Sequence, residues 1–133
     1  MSEFPHIAMH ILTFNRLDTL QRTLEALHGH LVYPDDKLHI VISDDSTGGK
    51  YLSQIKRLKV LKEWGAASVD VISTPKRSGW GKHANYAMDW IRDAFPQTDY
   101  IFFCEDDYVL TEKLDLRIGV ALLENRPNIG MLS

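Results

Sequence analysis

The stretch YIFFCEDD, residues 100–107, joins a run of apolar and aromatic residues to three consecutive carboxylates. The run at 100–104 has the composition of a buried β-strand, and Glu105 ends it. Two like charges about 4 Å apart repel by about 4 kcal/mol at the effective dielectric near a protein surface. A divalent cation relieves such repulsion, and carboxylate oxygens suit Mn²⁺ or Mg²⁺. The stretch therefore predicts a strand that brings metal-binding carboxylates to the edge of a sheet.

The three acids differ in the direction that an extended backbone gives them. Side chains alternate along a strand, so Glu105 and Asp107 project to one side and Asp106 projects to the other. We expect Glu105 and Asp107 to face the same ion or its bound water. The alternative that the residues alone leave open is a solvated acidic turn that caps the next helix.

Outside this stretch, strands and helices alternate along the chain. Apolar runs predict further strands at 6–13, 38–43, 69–73 and 129–133. Apolar residues at three- and four-residue spacing predict helices at 17–31, at 52–64 before Gly65 and at 80–95, and a last helix through Leu122 with Thr111 as its N-cap. Connections of this length predict parallel pairing with right-handed crossovers. The fold class is therefore α/β, an open and mainly parallel sheet with helices on both faces.

Polar segments follow four of the predicted strands. Ligands of open α/β sheets bind beyond the carboxyl ends of the strands, so these segments are expected to converge. In chain order they are Thr13-Phe14-Asn15-Arg16, Asp44-Asp45-Ser46-Thr47, residues 76–82 and Glu105-Asp106-Asp107. A carboxylate at Asp44 or Asp45 can accept hydrogen bonds from a nucleobase or from ribose hydroxyls. The alternative for this pair is an ordinary Asx turn.

The segment at 76–82 has features of a phosphate-binding loop. Gly79 and Gly81 let backbone N–H groups approach a phosphate, Lys82 is nearby, and a helix N-terminus follows. The segment is not a P-loop, because the positions that need Gly and Ser or Thr hold Lys76 and His83. It is not a dinucleotide fingerprint either, because it follows the third strand and has no third glycine.

Composition excludes several classes of protein. The 133 residues fit a single domain (1–133), and 44% apolar with 25% charged residues is typical of a soluble globular chain. A formal charge of -3 argues against a nucleic-acid partner. The single cysteine, Cys104, allows no internal disulfide, and the N-terminus lacks the pattern of a signal peptide. With no apolar run of membrane-spanning length, we expect a cytoplasmic protein without a membrane segment.

Taken together, the four segments resemble the GT-A glycosyltransferases, and most closely their family-2-like inverting group. The matching residues are 11–16 with Leu20 and Leu24, 41–47, 79–85 with Ala87, and 100–107. The resemblance implies a donor that is a UDP- or GDP-linked sugar, a Mn²⁺ or Mg²⁺ cofactor, and an acceptor that is a saccharide, a lipid or a protein. Two positions depart from the family pattern: Ser46 replaces the usual glycine, and Trp80 with Lys82 replaces small residues or arginine.

The resemblance also implies roles for individual residues. Asp45, with Asp44 beside it, is expected to hold the base, and the segment from Thr13 to Arg16 is expected to line the nucleotide pocket. Asp107 is expected to bind the metal directly, with Glu105 and Asp106 toward ribose or metal-bound water. Gly79 and Lys82 belong to the same nucleotide site. The general base lies in the acceptor half of the fold, which we expect this chain to lack, so the chain alone is expected to bind nucleotide weakly and to be inactive.

Other interpretations remain open at this point. One is a Mg²⁺-dependent phosphotransfer or receiver-type domain, although Thr74-Pro75 occupies the place of its phosphoryl-accepting aspartate. The other is a non-catalytic nucleotide-binding relative of the family. His6 and His10 are expected to be packed or exposed side chains rather than zinc ligands, and Cys104 is expected to be a core residue rather than a nucleophile. A sheet that ends at an unpaired strand exposes an edge and apolar surface, which favours a homodimer.

Overall fold

The computed structural model describes residues 4–46, 49–73 and 79–125. Within these ranges the main sheet has four parallel strands, β1 (His6–Thr13), β3 (Leu38–Asp44), β4 (Ser68–Ser73) and β5 (Thr98–Glu105), in the order β4-β3-β1-β5. A second, parallel pair joins β2 (Leu31–Val32) to β6 (Leu114–Asp115). The central strands β1 and β3 are almost completely buried, whereas β4 and β5 form the edges of the described sheet.

Helices connect the strands. They are α1 (Leu17–His30), α2 (Leu52–Lys56), α3 (Lys59–Glu63), α4 (Trp80–Ala94) and α5 (Leu116–Asn125), with a 3₁₀ turn at Asp35–Lys37. None of the helices in the described part of the chain is long and apolar enough to cross a membrane.

The two faces of the sheet have different cores. Met9, Ile11 and Ile40 belong to the larger cluster, which also contains buried residues of α1, α2 and α3. On the opposite face, Ala8 and Val41 pack with Ile91 of α4. Neighbouring residues of β1 and β3 thus alternate between the two cores, as side chains do along a strand. The predicted open parallel sheet with helices on both faces is confirmed.

Two helix predictions differ from the structure. The predicted helix at 52–64 is two short helices, because Leu58 is extended (φ −60°, ψ 130°) and places its side chain in the core. Gly65 follows α3 with φ +22°, consistent with a helix stop. Thr111 is not an N-cap: Leu114 and Asp115 pair with β2, and α5 begins only at Leu116. The cap is Asp115, whose Oδ1 accepts the N–H of Arg117 at 3.0 Å.

The remaining predictions lie outside the described residues. They are the strand at 129–133, residues 76–78 of the loop at 76–82, Thr47, and the side chain of Trp80.

Candidate active site

Thr13, the last residue of β1, connects the segments that follow two neighbouring strands. Its backbone carbonyl accepts the N–H of Asp45 at 2.9 Å, and its hydroxyl donates to Asp106 Oδ2 at 2.8 Å. The N–H of Asp106 also donates to the carbonyl of Leu12 at 3.0 Å. These backbone contacts continue the pairing of β1 with β3 and β5 by one step beyond the strands. The expected convergence of the segments after β1, β3 and β5 is therefore a property of the fold.

Asp106 is held entirely by the protein. Besides Thr13, Arg16 donates from Nε to Asp106 Oδ2 at 3.1 Å and from Nη2 to Oδ1, so the guanidinium forms a two-point ion pair. The backbone carbonyl of Asp106 accepts the hydroxyl of Thr23 in α1. The side chain of Asp106 is fully buried, whereas half of the Arg16 side chain is exposed. Both carboxylate oxygens of a buried acid are thus compensated, as burial of a charge requires.

The two acids on either side of Asp106 face the solvent. Glu105 and Asp107 are both exposed, as predicted for alternate residues, although the backbone turns here and the N–H of Tyr108 donates to the carbonyl of Glu105 at 3.3 Å. Among the described residues, no three His, Cys, Asp or Glu side chains form a group that could hold a metal ion by themselves. A site of this kind suits an ion that takes one or two carboxylates from the protein and further oxygens from a phosphate ligand.

The segment after β3 is buried and polar. Asp44 Oδ1 accepts the N–H of Ser46 at 3.1 Å, which is the Asx turn considered above. The hydroxyl of Ser46 lies 2.7 Å from the same oxygen and 2.9 Å from Asn15 Oδ1, and its single proton serves one of them at a time. Asp44 Oδ2 is buried and has no hydrogen-bond partner in the part of the chain that the structure describes. A polar ligand that reaches this oxygen would remove a desolvation cost.

Asp45 faces the first turn of α4. Its Oδ2 accepts the N–H of Gly79 at 3.1 Å, and its Oδ1 lies 3.4 Å from Nδ1 of His83. Gly79 has φ +88° and ψ 161°, a conformation that is essentially restricted to glycine. This glycine therefore lets the chain turn its N–H toward Asp45 just before the helix begins. The positive end of the α4 dipole also favours a carboxylate at this position.

Comparison with known families agrees with this geometry. The sequence model described as "Glycosyl transferase family 2" matches residues 9–132. The chain belongs to this family. A search of curated proteins gives no match.

Solved structures similar to this family 2 domain are glycosyltransferases of low sequence identity. S. aureus TarS 1–349 in complex with UDP is 16% identical with a TM-score of 0.68, and the match covers 92% of this chain and 33% of that chain. Mannosyltransferase PcManGT from Pyrobaculum calidifontis, in complex with GDP-Man and Mn²⁺, is 17% identical with a TM-score of 0.68, covering 91% and 32%. These likenesses confirm the GT-A fold. The chain spans about a third of the length of these two structures.

The structure places the predicted site residues of the family 2 domain in two groups. Asp44, Asp45 and Asp106 are buried at the carboxyl edge of the sheet with Thr13. Exposed residues surround them: Asn15, Arg16, Lys82, Glu105 and Asp107. Phe14 and Gly79 are half-buried. Asn15 has φ 55°, a left-handed conformation that asparagine tolerates better than most residues.

Asp106 differs from its sequence-based expectation. It was expected to face ribose or metal-bound water, but its carboxylate is buried and bound by Thr13 and Arg16. The physical reason is that the chain turns directly after β5, which brings Asp106 over the end of β1. Sequence reasoning also missed Thr23 and His83. Each lies inside a helix, and its contact with the acidic segments depends on packing that no local pattern in the sequence indicates.

Proposed function

We propose that this chain binds the donor of a sugar-transfer reaction, a nucleoside diphosphate sugar linked to UDP or GDP. The observation that supports this most directly is the position of Thr13, which connects the segment of Asp45 to that of Asp106 at the carboxyl edge of the sheet. An edge of this kind is where open α/β sheets bind their ligands. Family membership makes glycosyl transfer the relevant chemistry for such a site.

The described acids have separable tasks in this proposal. Asp45 accepts hydrogen bonds from the base, with Asp44 beside it. Asp106, bound by Thr13 and Arg16, fixes the turn after β5 rather than contacting the ligand. Asp107, exposed at the next position, would bind the metal beside the diphosphate, and Glu105, which is also exposed, would approach the same ion or its bound water. Lys82, exposed in the first turn of α4, offers positive charge near the phosphates.

The exposed acids fit a divalent ion of the hard type. Asp107 with Glu105 would hold Mn²⁺ or Mg²⁺ together with the oxygens of the donor diphosphate. When bound, such an ion stabilises the negative charge that develops on a departing diphosphate. These residues fit such an ion because Glu105 and Asp107 are exposed carboxylates beside a turn that is held by the buried hydrogen bonds of Asp106.

The reaction we propose is displacement at the anomeric carbon of the donor sugar. The bond from that carbon to the diphosphate oxygen breaks with its electron pair, and a bond to the acceptor oxygen forms on the opposite face, which inverts the configuration. A general base must take the proton of the acceptor hydroxyl. We place this base in the acceptor half of the enzyme, outside this chain, and the acceptor itself is a saccharide, a lipid or a protein.

Calorimetric titration of the 133-residue chain tests this function. UDP, GDP and inorganic phosphate are each titrated with and without Mn²⁺. We expect one nucleotide to bind more tightly than phosphate, with Mn²⁺ increasing its affinity. Asp107→Ala should remove the effect of Mn²⁺, and Asp93→Ala, an exposed acid of α4 away from this edge, should leave it unchanged.

The same titration separates the alternatives. Tight binding of Mg²⁺ without nucleotide would favour phosphotransfer chemistry and contradict the proposal. A chain that binds neither nucleotide would be a non-catalytic relative that keeps the fold alone. An Asp107→Ala variant that still responds to Mn²⁺ would show that the metal-binding role of Asp107 is wrong.

A further inference from the structure

A buried histidine lies beside the carboxylate that we assign to the base. His83 is in the first turn of α4, its side chain is fully buried, and its Nδ1 lies 3.4 Å from Asp45 Oδ1. The backbone N–H of His83 donates to the carbonyl of Gly79 at 2.9 Å, and the N–H of Gly79 donates to Asp45 Oδ2 at 3.1 Å. One helical turn therefore approaches both oxygens of Asp45, each from a different residue.

The ring of His83 is neutral at neutral pH. Burial lowers its pKa, and this effect exceeds the opposing influence of Asp45, the backbone of Ser43 and Asp44. Its neighbour His10 is also neutral, because burial and the proximity of His83 lower the pKa of His10 to about 4. A neutral imidazole has one N–H group and one acceptor nitrogen. The approach of His83 to Asp45 is thus that of a single N–H donor, and it brings no second charge into the interior.

The carboxylate of Asp45 favours a proton on Nδ1 of His83. Among the described residues neither ring nitrogen of His83 has a hydrogen-bond partner. A buried polar atom without a hydrogen bond lowers the stability of the fold. Asp45 Oδ1, 3.4 Å from Nδ1, is a charged acceptor for a proton on that nitrogen, whereas the backbone of Ser43 is a neutral acceptor near the same ring.

We propose that His83 is a positioning residue for the recognition of the nucleobase: its Nδ1–H holds the Asp45 carboxylate in the orientation that the base requires. This role deepens the proposed function and rests on it, since it assumes that Asp45 binds the base. His83 itself does not contact the donor. Its contribution is to the part of the affinity that comes from the base and not to the part that comes from the diphosphate.

Nucleotide binding by matched variants tests this role. The probes are UDP, GDP and inorganic pyrophosphate, each with Mn²⁺. His83→Leu keeps much of the buried volume but has no N–H, and we expect it to weaken the preferred nucleotide about tenfold, the value of roughly one hydrogen bond to a charged group. Its affinity for pyrophosphate should stay within about twofold. His83→Asn, whose amide N–H lies near the place of Nδ1–H, should restore most of the nucleotide affinity.

His39→Leu is the control for the loss of any buried histidine. His39 lies at the start of β3, on the same face of the sheet as His83. Its Nδ1 is hydrogen-bonded to the hydroxyl of Ser68 at 2.8 Å. We expect this variant to be less stable to heat and to keep the wild-type ratio of nucleotide to pyrophosphate affinity. Equal losses for both probes in His83→Leu, or no rescue by His83→Asn, would show that His83 acts only in packing.

Nuclear magnetic resonance of the histidine rings separates this role from the proposed function. In the nucleotide-free chain labelled with ¹⁵N-histidine, we expect His83 as the Nδ1–H tautomer, with ring signals that move in Asp45→Asn. An Nε2–H tautomer would overturn the role of His83 even if the chain binds UDP or GDP well. If His83 has the expected tautomer but the chain binds no nucleotide, the proposed function is wrong, and so is the role of His83 in base recognition. The contact between His83 and Asp45 would still be confirmed.

Discussion

The hydroxyl of Thr13 donates a hydrogen bond to Asp106 Oδ2 at 2.8 Å, between residues that are 93 positions apart in the chain. The carbonyl of the same threonine accepts the N–H of Asp45. Thr13 is buried, so both contacts form in a poorly solvated place where a missing partner is costly. The end of the central strand thus determines where the acidic segments on its two sides lie relative to each other.

Replacing Thr13 with valine tests this arrangement. Valine has nearly the same shape but no hydroxyl, so Asp106 loses one donor while Arg16 remains. We expect the free energy of unfolding to fall by about 1–3 kcal/mol, the cost of a buried acceptor that loses a hydrogen bond. Urea denaturation measures it. Thr13→Ser keeps the hydroxyl and should be clearly more stable than Thr13→Val; two equally unstable variants would mean that the methyl group matters and the hydrogen bond does not.

Asp106 and Asp107 should respond very differently to the same substitution. Asp106 accepts on both oxygens, from Thr13 and from Arg16, whereas an asparagine has one acceptor oxygen and turns an NH₂ group toward these donors. We expect Asp106→Asn to lower the free energy of unfolding by about 1–3 kcal/mol. Asp107→Asn, at an exposed position, should change it by less than about 0.5 kcal/mol. Denaturation curves in which Asp107→Asn is the more damaging change would contradict this division.

The fold could be predicted from the sequence because its signals are local. Apolar runs such as residues 6–13 and 38–43 are long enough to identify a strand, and helical spacing between them implies parallel pairing. The helix predictions were wrong where contacts between distant parts of the chain override a local pattern in the sequence. The apolar Leu58 fits a helical stripe, but its backbone is extended, and Leu114 pairs with Leu31 where a helix was expected.

The site could be predicted only as a set of segments. The rule that ligands bind at the carboxyl ends of strands predicted that these segments meet at one edge of the sheet, and those after β1, β3 and β5 do meet there. Alternation predicted that Asp106 differs from its two neighbours, and it is the buried one of the three. The partners of Asp106 were not predictable, because Thr23 and Arg16 reach it from 83 and 90 positions away. Periodicity gives the face on which a side chain lies but not the group that it meets there.

Alanine is expected to have opposite effects on the stability of the chain at Gly79 and at Gly81. Gly79 has φ +88°, so an alanine there forces a strained backbone although, apart from its chain neighbours, no atom of the described residues lies within 4 Å of its added Cβ. We expect Gly79→Ala to destabilise the chain by about 1–3 kcal/mol. Gly81 is exposed inside α4 with equally open space, and Gly81→Ala should stabilise by about 0.5 kcal/mol because alanine favours helices. Thermal unfolding would contradict this assignment if both variants moved the midpoint in the same direction.

His10 should make the stability of the chain depend on pH. Its ring is fully buried against Phe103, and its Nε2 lies 2.7 Å from the hydroxyl of Ser43. Burial and the nearby His83 lower its pKa from 6.5 to about 4. Between these values the unfolded chain binds a proton that the folded chain does not, so acid favours unfolding. Protonation of His10 therefore leaves the free energy of unfolding unchanged above pH 6.5. As the pH falls from 6.5 toward 4, it lowers this free energy by about 3 kcal/mol in all.

Urea denaturation at a series of pH values measures this dependence. His10→Asn cannot titrate, so the free energy of unfolding of the wild type should fall relative to that of the variant by about 3 kcal/mol as the pH falls from 6.5 to 4. The variant keeps the slope that His39 and His83 add, because burial also lowers the pKa of each of these rings. If the free energies of unfolding of His10→Asn and the wild type run parallel through this pH range, His10 takes up its proton in the folded chain as readily as in the unfolded chain. The buried ring must then have a partner that stabilises its charge.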